Sequence, residues 1–165
     1  MSDALGRVYS VEFHAVSITA QQDLFYVKPA ADKIIVVEAV YLSNVGIAAD
    51  AGDAQEELLD VRLAYVPATV TVGSGGTAMT PNSLAINDTA AAFTARVNDT
   101  TKATSSGTIV WRHSDGWNVR VPYVFLPPPE HRSAVANAAA ATFQLNSTPT
   151  DAILVSGTMY VRELP

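Results

Sequence analysis

The sequence predicts an all-β fold: an antiparallel β-sandwich, jelly-roll-like, of about eight strands joined by long loops. Three observations predict it. Apolar residues recur with a period of two along most of the chain, helical periodicity is scarce, and Gly, Pro, Asn or Asp stands at most junctions.

The elements follow in order. Tyr9, Val11, Phe13 and Ala15 are in phase, with Ser10, Glu12 and His14 opposite, and the apolar phase then moves to Val16 and Ile18. A slip of one residue sends every side chain to the other face, so a bulge is predicted at 14–16. A short strand is expected over 23–28. Residues 34–42 are apolar on both parities, which predicts a central strand covered on both faces. Leu59, Val61, Leu63 and Tyr65 alternate with Asp60, Arg62 and Ala64, a strand with one wet face. A strand over 107–113 precedes a longer one over 117–126, whose odd positions Trp117, Val119, Val121, Tyr123 and Phe125 are all apolar. After 141–146, the last strand places Ile153, Val155, Met159 and Val161 against Ser156, Thr158, Tyr160 and Arg162. Gly157 falls in its inward row, which signals a bulge or a close backbone approach. Residues 89–97 and 133–140 are Ala-rich and each is given a helical turn, the second capped by Ser133.

The domain plan is an amino-terminal arm, 1–6, and a single sandwich, 7–165. A chain of 165 residues buries roughly two-thirds of its unfolded surface, enough for one core without staples. The composition is 48% hydrophobic and only 16% charged, below the roughly 25% charged that is usual, which suggests a surface partly covered by partners. The net charge of −6 disfavours a grip on phosphate backbones or on anionic membrane, so neither nucleic acid nor membrane is an expected partner. Without cysteine there is no disulfide, thiolate metal site or thiol nucleophile. The start Met1-Ser2-Asp3-Ala4 lacks the basic and apolar regions of a signal peptide, so a product of the cytoplasm is expected.

No constellation of residues reads as catalytic. His113, Ser114 and Asp115 are adjacent, and adjacent strand residues diverge whereas a triad needs convergent side chains, so they read as a polar turn before Trp117. His14, His113 and His131 are scattered, and the acidic run 50–57 lacks the alternation of a calcium loop; no metal or cofactor is predicted. Gly73-Ser74-Gly75-Gly76 reads as a loop tip, because no Lys and Ser/Thr follow at phosphate-loop spacing. Trp111 and Trp117 have two readings: both pack into the core across a hairpin, or both stack sugar rings as in a carbohydrate-binding module. Pro127, Pro128 and Pro129 stiffen a segment that continues through His131 and Arg132, either a contact arm or a rigid crossover between sheets. With Ser2, Asp3 and Leu5 of the arm, these are the candidate partner-contact residues.

The opening 6–13, Gly-Arg-Val-Tyr-Ser-Val-Glu-Phe, the acidic Ala-Gln-Glu-Glu-Leu-Leu at 54–59 and the ending Ser-Gly-Thr-Met-Tyr-Val at 156–161 resemble small structural proteins encoded among phage head genes. The loop 73–81 and residues 93–98 and 117–126 extend the likeness over most of the chain. The family it resembles is the head decoration, or cement, proteins of tailed bacteriophages. That resemblance implies a β-sandwich, often trimeric, seated on the capsid exterior against the major capsid protein. It brings no catalytic residues. A phage tail or adsorption component is the alternative within virion proteins.

Overall fold

In the computed structural model, residues 6–46, 57–85, 88–136 and 138–165 are described. The strands are β1 (Arg7–Ile18), β2 (Gln22–Pro29), β3 (Ile35–Asn44), β4 (Leu58–Val66), β5 (Val70–Thr71), β6 (Thr77–Met79), β7 (Asn82–Ser83), β8 (Phe93–Asp99), β9 (Thr104–Ser105), β10 (Val110–Asn118), β11 (Tyr123–Phe125), β12 (Ser133–Val135), β13 (Ala140–Leu145) and β14 (Ile153–Glu163). One sheet runs β11-β3-β14-β1-β7, with β12 beside the other end of β3, and the second runs β10-β4-β13-β2-β8-β6. Setting aside the excursion 67–109, the first sheet holds β1, β14, β3 and β11 with β12, and the second holds β2, β13, β4 and β10. All these pairs are antiparallel, and this interleaving is the strand order of a jelly roll.

The core lies between the sheets, where alternate side chains of both inner faces meet. Phe13 packs on Phe25 at 5.1 Å between ring centres, Tyr123 on Phe143 at 5.8 Å, and Tyr9 stands edge-on to Phe93 at 5.5 Å. Gly157 faces this core opposite Phe13 and Leu42; an added Cβ would sit 2.9 Å from the Phe13 ring. The close approach expected there is what keeps the position open.

The predicted bulge in β1 is present: the register to β14 shifts between Phe13 and Val16, and Ala15 adopts φ 51°. A second bulge explains the double parity of β3. Val37 pairs with Val161 and Ala39 with Tyr160, so Glu38 is the extra residue. The inward row passes from Ile35 and Val37 to Val40 and Leu42, and Tyr41 points out. β3 is therefore interior to its sheet, but its outer face is not closed over. The strands buried on both faces are β2 and β13, because the excursion folds back across the outside of the second sheet. There Ala103 packs with Tyr26, Val66 and Ala140 in a separate small cluster that Val70 flanks.

Three expectations are corrected. Residues 117–126 are not one strand: β10 ends at Asn118, a turn follows, and β11 belongs to the other sheet. The Asn118 carbonyl accepts from Val121 N at 3.0 Å, and Trp117 Nε1 donates to Val121 O at 2.9 Å, so the turn is fastened at both levels. His113 to Asp115 consequently lie in mid-strand, not in a turn. The Ala-rich segments are also not helical, since 93–99 is β8, paired to β2, and 133–135 is β12, paired to β3. Small side chains suit strands that lie close under other layers, and sheet pairing overrides their helix propensity.

Candidate functional site

Of the predicted contact residues, Ser2, Asp3 and Leu5 lie outside the described residues, as does 47–56 of the acidic loop. The proline segment is described, and it is not a crossover between sheets. It joins β11 to β12, two short strands on the same edge of β3. Pro129–His131 form a single 3-10 turn. Arg132 donates to Pro127 O at 3.4 Å and ion-pairs with Glu38, the buried bulge residue of β3. Arg162 Nε reaches the same carboxylate at 2.6 Å. One acidic side chain thus holds the detour against the sheet while Pro128, Pro129 and His131 remain exposed. Beside it Val124 and Leu126 expose more than half of their surface.

A recess of about 430 Å³ lies under this detour, lined by Arg112, His113, Asp115, Leu126, Pro127 and His131 among others. His113 Nε2 is 3.0 Å from Tyr123 Oη and its ring lies 4.6 Å from that of Phe125. Burial, and then the nearby Asp115 charge, push the Tyr123 phenol up. Asp115 is 3.9 Å from His113 Nε2, while Ser114 pairs with Arg62 on the opposite face of the strand. The three adjacent residues do not converge on a point.

The tryptophans separate. Trp117 is 1% exposed and fills the core; Trp111 is 42% exposed on the outer face, with the Arg62 guanidinium 5.0 Å from its ring centre. The core reading holds for Trp117 and fails for Trp111. The bulge in β10, between Trp111 and His113, is the reason, because the extra residue Arg112 reverses the facing of everything before it. A platform made of both rings does not exist.

A cleft of about 820 Å³ opens where the β1 bulge faces the loop before β6. Its lining includes the core-facing Phe13, Leu42 and Val97, the loop Gly75-Gly76, Asn98 and Ser156, and Glu12, His14 and Tyr41, of which Glu12 and Tyr41 belong to the outward-facing row of their sheet. Ser156 Oγ accepts from Ala15 N at 2.9 Å and lies 2.9 Å from His14 Nδ1. The hydroxyl thereby replaces the ladder partner that the bulge takes from Ala15. Among the described residues no carboxylate hydrogen-bonds His14. Gln22 Nε2 donates to Asn98 Oδ1 at 3.1 Å and fixes that amide at the rim. Sequence reasoning found the bulge but not the cleft.

A buried polar cluster lies under the excursion. Asp23, 1% exposed, accepts from Ala103 N at 2.7 Å through Oδ2, whereas its Oδ1 has no partner. It stands opposite Asp99, which Arg96 grips through Nε and Nη2. Burial pushes the Asp23 carboxyl up to about 7. Tyr26, pushed up to about 12 by burial, also has an unpartnered hydroxyl. Among the described residues no three His, Cys, Asp or Glu side chains come together to hold a metal, and no helix is long and apolar enough to cross a membrane.

No family model, no curated protein and no solved structure matches this chain.

Proposed function

We propose that this chain is a virion structural protein: a decoration, or cement, protein that binds the outside of a phage capsid lattice as a trimer and stabilises it. The observation that supports this reading is the unequal treatment of the two sheets. The chain's own excursion covers β2 and β13 on the outer face of the second sheet and leaves Trp111 of β10 exposed at its edge, while the first sheet leaves Tyr41 and Val124 exposed on its outer face beside the stiff Pro127–Arg132 detour. Such a face suits a module that works by contact, the major capsid protein being the proposed partner.

The sheet edges favour contact through faces and loops over strand addition. β11 and β12 are interrupted by three prolines. The outermost strand β10 is bulged at Arg112, and Asp115 Oδ1 accepts from Gly116 N at 2.8 Å. β6 and β7 are only three and two residues long. Each device discourages edge-to-edge pairing. Binding only the intact lattice would stabilise it by mass action, and joining three copies would add avidity.

The test is light-scattering molar mass, then co-sedimentation with capsids that lack this protein. A trimer that saturates the shell at a fixed copy ratio and raises its disruption temperature is the expected result. A monomer that ignores capsids, or one that sediments with tails and not with heads, would overturn it. Removing residues 2–6 is expected to weaken shell binding without changing the melting temperature.

A further inference from the structure

We propose that the part of the excursion lying over the second sheet is a pH-responsive flap, which the neutral Asp23 carboxyl holds shut and the ionised one releases. The flap consists of residues 67–74 and 101–109, joined to each other by the β5–β9 pair and by the bridge between Ser74 and Thr101. Its hold on the sheet is slight. Val70 and Ala103 supply its packing against Tyr26, Val66 and Ala140. Ala103 N donates to Asp23 Oδ2 at 2.7 Å, and Lys102 Nζ donates to Asn146 Oδ1 at 3.1 Å and to Gln21 Oε1 at 3.4 Å. A segment with so little apolar contact opens at a lower free energy than the core beneath it.

The flap closes over a carboxyl group that is poorly provided for as an anion. Asp23 is buried, its Oδ1 has no hydrogen-bond partner, and neither has the buried hydroxyl of Tyr26 on the same strand. A neutral carboxyl tolerates that setting, whereas a carboxylate cut off from water is disfavoured by it. The groups that face Asp23 do not reverse the balance. Lys102 brings a favourable charge from the flap, and Asp99 of β8, itself gripped by Arg96, brings an unfavourable one. Tyr26, Thr142 and Gln144 carry no charge. Burial outweighs the rest and lifts the carboxyl up to about 7, while opening the flap returns it to water near its ordinary 3.8. The closed form is therefore favoured most below about pH 4 and loses that advantage as the pH rises to about 7. Opening uncovers an apolar strip, Tyr26, Val66 and Ala140, on the outer face of the second sheet. This inference is independent of capsid binding.

The experiment is amide exchange of the isotope-labelled protein, followed by NMR over a pH series, with each rate divided by that of an unstructured amide at the same pH. The Ala103 amide, bonded to Asp23, reports the flap, and the Met159 amide, in the middle of β14, reports the core. Ala103 is expected to exchange faster than Met159 throughout and to respond little to dilute urea, because a local opening exposes little surface. Its opening should increase roughly a hundredfold from pH 5 to pH 8, as a shift from about 7 to 3.8 requires. Asp23→Asn should abolish that increase while keeping an acceptor for Ala103 N. Lys102→Gln removes the favourable charge and should move the increase to higher pH. Melting curves verify that each variant is folded. Four results would overturn the proposal: Ala103 protection that does not change with pH, the same increase in folded Asp23→Asn, an increase that Lys102→Gln leaves in place, or Ala103 exchange equal to that of Met159 in rate and in urea response.

Discussion

Replacing Asp23 with asparagine isolates the effect of one buried carboxyl group on stability. In the folded chain this group lies under the excursion, with Oδ2 bonded to Ala103 N and Oδ1 unpartnered. Burial is the main cause of its rise to about 7 from an ordinary 3.8, while the Ala103 bond and Lys102 pull the other way and Asp99 adds to the rise. Below about pH 4 the group is protonated whether the chain is folded or open, and it costs nothing. Between that point and about pH 7 the open chain releases its proton and the folded chain keeps it. Stability therefore falls as pH rises, by up to about 4 kcal/mol once the folded group also ionises. Asparagine has the same shape and does not titrate, though its weaker hydrogen bond to Ala103 costs about 1 kcal/mol. The variant should be slightly less stable than the parent near pH 4 and more stable by about 3 kcal/mol near pH 8. Urea unfolding of both proteins across this range gives the difference directly, and the contributions of all other groups cancel in it. A difference that does not change with pH would refute the reasoning.

Three further outcomes test the packing. Gly157→Ala would push a methyl into Phe13 and Leu42 and should cost about 1–3 kcal/mol, read from the denaturation midpoint; an unchanged midpoint would mean that the core there has room. Acrylamide should quench tryptophan emission in two classes, because Trp111 is 42% exposed and Trp117 is 1% exposed; after Trp111→Phe only a blue-shifted, protected class should remain. Glu38→Gln weakens the anchor shared by Arg132 and Arg162 and should lower stability by about 1–3 kcal/mol. It should also speed amide exchange over 127–132, and equal exchange in both proteins would show that the prolines alone hold the detour.

The alternation of Leu59, Val61 and Leu63, and of Ile153, Val155, Met159 and Val161, made the sandwich legible, since each row is the inward face of a strand of the core. The excursion was not legible. Its covering residues, Ala103 with Val70 beside it, are short-chained and pack on Tyr26 and Ala140 of β2 and β13, strands already apolar for the sake of the inner core. A second covering of their outer face leaves only a faint mark, such as Ala140 and Tyr26 at positions that could equally face water. The Asp23 cluster was hidden for the same reason, because an acidic residue beside a loop reads as solvated until something folds over it. The large cleft gathers Phe13, Leu42, Val97 and Asn98 from parts of the chain that only the strand order brings together.

Single extra residues account for most of the remaining differences. Strand periodicity is a parity, and one inserted residue inverts it, so a bulge can be read only where the residues on both sides declare which way they face. In β1 they do: the apolar row steps visibly from Phe13 to Val16, and the bulge was placed correctly. In β3 nearly every residue around Glu38 is apolar, so the inversion resembled a strand covered on both faces. In β10 the parity is silent because tryptophan is at home in a core or on a surface with an arginine over it, and Trp111 lies an even number of residues from Trp117. A bulge flanked by amphipathic side chains is thus undetectable by periodicity, and it is by such a bulge that this chain puts an aromatic ring on its surface.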